Sequence, residues 1–241
     1  MIIITNILPK TLSIILKEGS TISNSGCFTQ IYFLSQSAIT ESLLLTVMSY
    51  DRYLAICHPL RYSSIMDLKL CVYLVIPPWL LGLLFALPHN IILSQMAFCE
   101  SNTINHFYCD LVPLLKLSCS STLANKIVII ILSFPVTLCP LIIITWTYIS
   151  ILLTILHISA TTGKQKAFST CSSHLTVVCL YYGTLAFNYL SPSKEEYLGL
   201  QKLVSVLYTV VTPLLNPIIY SLRNKQIRGA IIKFVFRRKN K

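Results

Sequence analysis

Apolar residues in this chain run together in long blocks bounded by polar or charged segments, and do not alternate as they would in strands. Five blocks, residues 27–56, 70–87, 127–156, 167–190 and 199–222, reach the roughly 17 to 25 residues a helix needs to cross the hydrocarbon core. The pattern predicts five complete membrane-spanning helices. Residues 1–16 are apolar as well, but Pro9 and Lys10 interrupt them. That stretch reads as the remnant of a further span, with an interfacial or disordered leader as the alternative. Pro77, Pro78, Pro135, Pro140, Pro213 and Pro217 fall inside the blocks. Each removes a backbone donor and bends its helix. Neighbouring helices and hydroxyl side chains take up the freed carbonyls in a membrane bundle, so the prolines predict bent helices around a cavity.

Composition supports the bilayer. Of 241 residues 54% are hydrophobic and 11% charged, against about a quarter charged in a soluble domain. Glycine is sparse and no repeat or low-complexity tract stands out, which excludes a fibrous or disordered chain. The net charge of +11 would suit nucleic acid only if the basic residues shared one soluble face. They lie between apolar blocks instead, so no nucleic-acid partner is expected. The fold class predicted is all-α, a multi-pass transmembrane helix bundle.

Lys and Arg in short loops set orientation. One side, with Arg52, Arg61, Lys69, Lys164, Lys166 and the tail from Arg223 to Lys241, holds 13 of the 19 basic residues and is expected to be cytoplasmic. The opposite side carries Lys10, Lys17, Lys116, Lys126, Lys194 and Lys202 diluted by acidic residues. Cys27, Cys99, Cys109 and Cys119 lie on that outer side, where disulfides persist. Four cysteines allow three pairings, and spacing does not choose among them. Cys57, Cys71, Cys139, Cys171 and Cys179 fall within spans or near the cytoplasm and read as buried or reduced thiols.

Three blocks carry a family resemblance. Met48-Ser-Tyr-Asp-Arg-Tyr-Leu-Ala-Ile-Cys-His-Pro-Leu-Arg-Tyr62 ends the first full span, Lys166-Ala-Phe-Ser-Thr-Cys-Ser-Ser-His-Leu-Thr-Val-Val178 opens the fourth, and Pro213-Leu-Leu-Asn-Pro-Ile-Ile-Tyr-Ser-Leu-Arg-Asn224 closes the fifth. With Thr147-Tyr148 and His106-Phe-Tyr-Cys-Asp110, they make the chain resemble the olfactory receptors, which are rhodopsin-like G-protein-coupled receptors. Ser49 departs from the alanine usual there. Relative to the seven spans of that family the chain is expected to be N-terminally truncated, starting within the second. The expected division is residues 1–26 as a remnant of the second helix and first outer loop, 27–224 as the transmembrane bundle, and 225–241 as a basic cytoplasmic tail with a short amphipathic helix.

The resemblance implies roles. Asp51 holds Arg52 at rest, and Arg52 contacts the G protein after activation; Tyr53 completes the motif, and Tyr148 and Tyr220 swing toward the arginine. Without the resemblance, Asp51-Arg52 is an interfacial anchor. Asn216-Pro217 is a hinge by its residues and a switch by resemblance. Glu41, about three turns from Arg52, is a buried hydrogen-bonded acid by its residues, and by resemblance part of a cation site. The site's aspartate belongs to the second helix outside this chain, so a weakened site is expected. Helical spacing offers Leu34, Ser35, Ala38 and Ile39 as one face of an outer ligand pocket. Val136, Tyr182, Leu185, Tyr189, Val206 and Thr209 are placed opposite. This apolar lining with a few hydroxyls suits a small, weakly polar ligand. The resemblance further implies a Cys27–Cys109 bridge and a second link from Cys99 to Cys119.

The function expected from the resemblance is detection of small volatile odorants coupled to a stimulatory heterotrimeric G protein at the plasma membrane. Intracellular retention, as a truncated non-signalling product, is the alternative. A transporter or channel calls for paired intramembrane charges or repeated halves, and Glu41 alone gives little support. His174 and the serines form no nucleophile and base set, and no metal-ligand spacing appears. Neither catalysis, nor a cofactor, nor a metal is expected.

Overall fold

The computed structural model describes residues 2–17, 19–98, 103–119, 123–158, 161–190 and 198–214. The described residues are helical, apart from connecting segments and one isolated antiparallel bridge, Phe98 to Ser118. In chain order the helices are α1 (Ile2–Lys17), α2 (Asn24–Cys57), α3 (Pro59–Ile65), α4 (Leu68–Ser94), α5 (Leu111–Lys116), α6 (Leu123–His157), α7 (Thr161–Leu190) and α8 (Leu198–Val206). A π-helical turn, Leu207–Val211, follows α8.

Local chemistry sets the helix starts. Ser23 caps α2 by accepting from the Gly26 amide at 3.2 Å, and Asp67 caps α4 by accepting from the Leu70 amide at 2.7 Å. Both supply an acceptor to a first turn that has none of its own. Pro59 opens α3, where its missing N–H costs nothing.

Prolines do not stop these helices. Pro9 sits inside α1, Pro77, Pro78 and Pro88 inside α4, and Pro135 and Pro140 inside α6. The block expected to end at residue 87 therefore continues through Pro88 to Ser94. Around that proline α4 is braced from α2: the Tyr32 hydroxyl donates to the Leu83 carbonyl at 3.3 Å, and the Asn90 amide donates to the Phe28 carbonyl at 2.7 Å. Such side-chain support lets a proline persist within a buried helix.

Among the described residues three helices, Asn24–Cys57, Leu68–Ser94 and Ile127–His157, are long and apolar enough to cross a membrane. The chain is a multi-pass membrane protein. The fourth expected span is helical within α7, which is more polar than those three. The fifth is described only as far as Leu214.

The described residues fall into two units, Ile2–Cys171 and the residues from 172 on. In the first, α2 is the central helix, with α1, α4 and α6 packed against it. Its buried positions include Gln30, Gln36, Ser37, Thr40, Ser42 and Ser49 beside Ile31, Leu34, Ile39, Leu45 and Leu54. Small polar residues at helix seams permit close approach and bonds across them. Gly82 of α4 is the clearest case, since a β-carbon there would stand 2.8 Å from the Gln36 carbonyl and collide with the Thr40 hydroxyl. The outward surfaces of α4 and α6 bear Val72, Ile76, Leu84, Ile131, Ile142 and Leu153 in the open. A water-soluble fold rarely exposes so continuous an apolar surface, whereas lipid welcomes it.

In the second unit Tyr181 is buried, with its ring edge-on to Tyr182 at 5.0 Å and tilted against Tyr208 at 5.9 Å. The π turn precedes Pro213. At its C-terminal end the Thr212 hydroxyl donates to the Leu207 carbonyl at 3.1 Å, five residues back.

Candidate functional site

The inner end of α2 carries three of the candidate switch residues, Asp51, Arg52 and Tyr53. Arg52 and Asp51 pair at 3.2 Å, with the arginine side chain 40% exposed and the aspartate 20%. The Tyr62 hydroxyl of α3 donates to the other Asp51 oxygen at 2.8 Å. Burial first, then this bond and the Asp51 charge, push the Tyr62 phenol above its ordinary 10.0, and Arg52 offsets part of the rise. The Tyr53 hydroxyl meets His58 Nε2 at 3.1 Å, and its ring lies 5.5 Å from Trp146 of α6. The Cys57 thiol and Thr154 hydroxyl, 3.2 Å apart, form a second link between the inner halves of α2 and α6. Tyr148 is buried on α6.

The outer end is clasped. Cys27 and Cys109 form a disulfide with Cα atoms 5.4 Å apart, fastening the outer loop to the top of α2. One turn further along α2, buried Gln30 accepts from the Cys109 amide at 2.9 Å. Gln30 also exchanges amide bonds with Asn6 of α1, accepting at its backbone carbonyl at 2.9 Å and donating to the Asn6 carbonyl at 3.2 Å. One glutamine side chain thereby ties α1, α2 and the loop. Asp110 follows the bridge and caps α5, accepting from the Leu111 amide at 2.7 Å. Burial raises its carboxyl to about 6, and the Leu111 bond works against the rise. Cys119 is also disulfide-bonded, and its amide donates to the Ala97 carbonyl at 3.1 Å.

Between these ends Ile39, Ala86 and Val136 form a buried apolar layer joining α2, α4 and α6, with Tyr32, Leu43 and Phe85 packed on it. A turn inward the Ser42 hydroxyl donates to the Val136 carbonyl at 3.2 Å. A turn outward His89 of α4 meets Ser133 of α6 at 3.0 Å.

The described helices thus carry an aspartate–arginine pair at one end, a disulfide-held loop at the other and a buried apolar layer between them. The sequence profile of the family described as "Olfactory receptor" matches residues 1–238. The chain belongs to the olfactory receptor family. It is 44% identical to Olfactory receptor 1S2 of Homo sapiens, over 98% of this chain and 72% of that relative. It is 47% identical to Olfactory receptor 5G29 of Mus musculus, over 98% and 73%. Olfactory receptor 8H1 of Homo sapiens is 46% identical, over 98% and 76%. The olfactory receptor family comprises receptors, not enzymes, and odorant reception is the function of this chain.

Of the residues singled out from the sequence, Asp51, Arg52 and Tyr53 cluster as described. Asn216, Pro217, Tyr220, Cys99 and the tail lie outside the described residues. Glu41 is partly buried on α2, next to Ser42. Among the pocket residues Ile39 and Val136 meet in one layer. Leu34 is buried, and Ser35 and Ala38 partly so. In the second unit Thr209 is fully buried, donating to the Ser205 carbonyl at 2.7 Å, while Tyr182, Leu185 and Val206 are partly exposed. Tyr189 lies on α7. Tyr62, Gln30, Ala86 and His89 have no role in the sequence reading. Tyr62 stands in the Met48–Tyr62 block, but its bond to Asp51 depends on how α3 turns. The α4 residues carried no signal, because that helix is apolar all round.

Proposed function

We propose that this olfactory receptor binds small, weakly polar, volatile odorants in the outer half of the α2, α4 and α6 region, and passes binding to a stimulatory heterotrimeric G protein at the plasma membrane. The observation that carries the reading is the Asp51–Arg52 pair, whose carboxylate also accepts from Tyr62. With both oxygens engaged, the aspartate holds the guanidinium against α2, at the membrane boundary, where a paired charge costs least. The reading retains five complete spans and a basic inner tail beyond residue 225.

An odorant shifts such a receptor only through its differential affinity for the resting and signalling arrangements. Ile39 and Val136 belong to different helices, so a ligand resting on their layer pushes α2 and α6 relative to each other. The same two helices meet at the inner end through Cys57 and Thr154 and through Tyr53 and Trp146. Moving α6 at its inner end therefore disturbs the residues around Arg52. Once parted from Asp51, the guanidinium presents five donors to the acceptor groups of a partner.

The test is odorant-driven cyclic AMP in cells displaying the full chain, with surface display scored by labelling without permeabilisation. At least one odorant of a broad volatile panel raises cyclic AMP, and Arg52→Ala abolishes the rise while display persists. A displayed chain whose response survives Arg52→Ala, or that answers no odorant while control receptors do, refutes the reading.

A further inference from the structure

We infer that the outer cleft between α1 and the start of α2 binds a small organic anion, a short-chain carboxylate or a group of the same charge and size, on Lys10. The cleft is open to solvent and offers ≈ 560 Å3, room enough for a small molecule. It lies outward of Leu34 along α2 and shares no residue with the apolar layer of Ile39, Ala86 and Val136.

Its chemistry is one-sided. Lys10 lines it from α1, and the described lining carries no carboxylate. The ammonium donates to the Ser20 hydroxyl at 2.7 Å and to the Thr21 carbonyl, both neutral acceptors. An ammonium has three donors, so one remains beyond these two bonds, and among the described residues no carboxylate pairs with it. Facing Lys10 is the first turn of the 34-residue helix α2, and that turn holds no acidic residue. The positive end of that helix adds to the lysine's field. Ser23 and Ser25, with hydroxyls 3.3 Å apart, and Thr29 supply further donors.

The back wall is already satisfied. Asn6 and Gln30 bond each other and the Gln30 carboxamide holds Cys109, so they form a preorganised surface that a ligand need not order. Ile22 and Pro9 add apolar surface for a short hydrocarbon body. An anionic head with a small tail matches this lining, whereas a neutral odorant leaves the lysine's charge unmatched.

The experiment uses the full chain in phosphatidylcholine nanodiscs, titrated with sodium propionate, with propan-1-ol as the uncharged analogue and sodium chloride at equal ionic strength. Ligand binding raises the unfolding temperature by mass action, which reports apparent affinity. Propionate stabilises more than either control, and Lys10→Gln weakens its apparent affinity about tenfold, as loss of a charge-assisted bond predicts. Lys10→Arg retains it. Thr29→Val, which leaves the Lys10 bonds to Ser20 and Thr21 intact, weakens it about threefold. If phosphatidylglycerol nanodiscs compete with propionate, the anion is a lipid phosphate; if they do not, it is a free carboxylate. Both results support the site. Equal stabilisation by propanol or chloride, or an unchanged propionate affinity in folded Lys10→Gln, shows that Lys10 is a loop latch only and overturns the proposal. Should Lys10→Gln not fold, unchanged affinity in both Thr29→Val and Ser25→Ala overturns it. The cleft's occupancy is read without signalling, so a failed cyclic AMP assay leaves this result standing.

Discussion

Tyr62 donates a 2.8 Å hydrogen bond to one oxygen of Asp51 while the other oxygen pairs with Arg52 at 3.2 Å. The carboxylate is thereby shared between the helix that carries the arginine and the short helix that follows it. A carboxylate with one partner can rotate to follow Arg52, but one held by two has a fixed direction. Tyr62 thus makes the resting pair a geometric constraint as well as a charge attraction.

Tyr62→Phe removes the donor and keeps the ring. A partly exposed hydrogen bond contributes about 0.5 to 1.5 kcal/mol, so the resting arrangement weakens by roughly threefold to tenfold in population. Basal cyclic AMP, normalised to surface display, rises by a similar factor. Raising the pH does not mimic the mutation near neutrality, because the phenol is held above its usual value and remains a donor. Unchanged basal activity in a normally displayed Tyr62→Phe receptor defeats this account.

Gly82 faces α2 so closely that a side chain has nowhere to go. A β-carbon meets the Thr40 hydroxyl and the Gln36 carbonyl, the latter at 2.8 Å. Gly82→Ala lowers stability by about 1 to 3 kcal/mol, the usual range for overpacking. Adding Thr40→Ala restores part of the loss, since the hydroxyl can be removed and the backbone carbonyl cannot. Thermal unfolding in detergent measures both. Full rescue by the double variant contradicts the assigned clash.

How far the sequence reveals this structure depends on where each constraint acts. α2 is legible because its block, its N-terminal Ser23 and its Asp-Arg-Tyr end are all local. The end of α4 is not legible, because Pro88 closes the block locally while Tyr32 and Asn90 supply bonds between the helices. Asp51 and Arg52 are neighbours in the chain and stand out together. Tyr62 joins them only after α3 turns it back, which no spacing rule forecasts. Gln30 shows the same limit more strongly, because its two partners, Asn6 and Cys109, stand on α1 and in the outer loop. Ile39 was found by helical spacing, but its partner Ala86 lies on a helix whose uniform apolarity hides the inward face.

Asp110 gives the outer loop a pH dependence of known sign. Its carboxyl is raised from 3.8 to about 6 by burial, so the folded state holds the proton more tightly than the unfolded chain. Its stabilising contribution is fully present below pH 3.8 and is lost as pH rises through about 6. Loop stability therefore falls between pH 3.8 and about 6 and is level above that, by about 1 to 3 kcal/mol in all. Asp110→Asn keeps a capping acceptor for Leu111 and removes the titration, so it flattens the profile and stabilises the loop at neutral pH. Hydrogen exchange of residues 103–117 across this range is the measurement. An Asn variant with the wild-type pH profile rules out Asp110 as the titrating group.

The disulfide and the Gln30 amide hold the same loop by different means, and removing each should fail differently. The Cys27–Cys109 bridge closes a separation of 82 residues and constrains the unfolded chain, so Cys27→Ser with Cys109→Ser costs about 2 to 5 kcal/mol. That loss removes surface display together with odorant response. Gln30→Leu keeps the bridge but leaves the Cys109 amide without its 2.9 Å acceptor and the Asn6 carbonyl without its 3.2 Å donor, while the Asn6 amide still donates to the backbone carbonyl of residue 30. Leaving buried polar groups unpaired costs about 1 to 3 kcal/mol. Because the covalent tether survives, display is retained in part while the loop loses its fixed position over α2. Surface staining, odorant dose response and hydrogen exchange of residues 103–110 separate the two variants. The assignment of Gln30 as the loop's non-covalent anchor fails if Gln30→Leu leaves exchange of that segment unchanged.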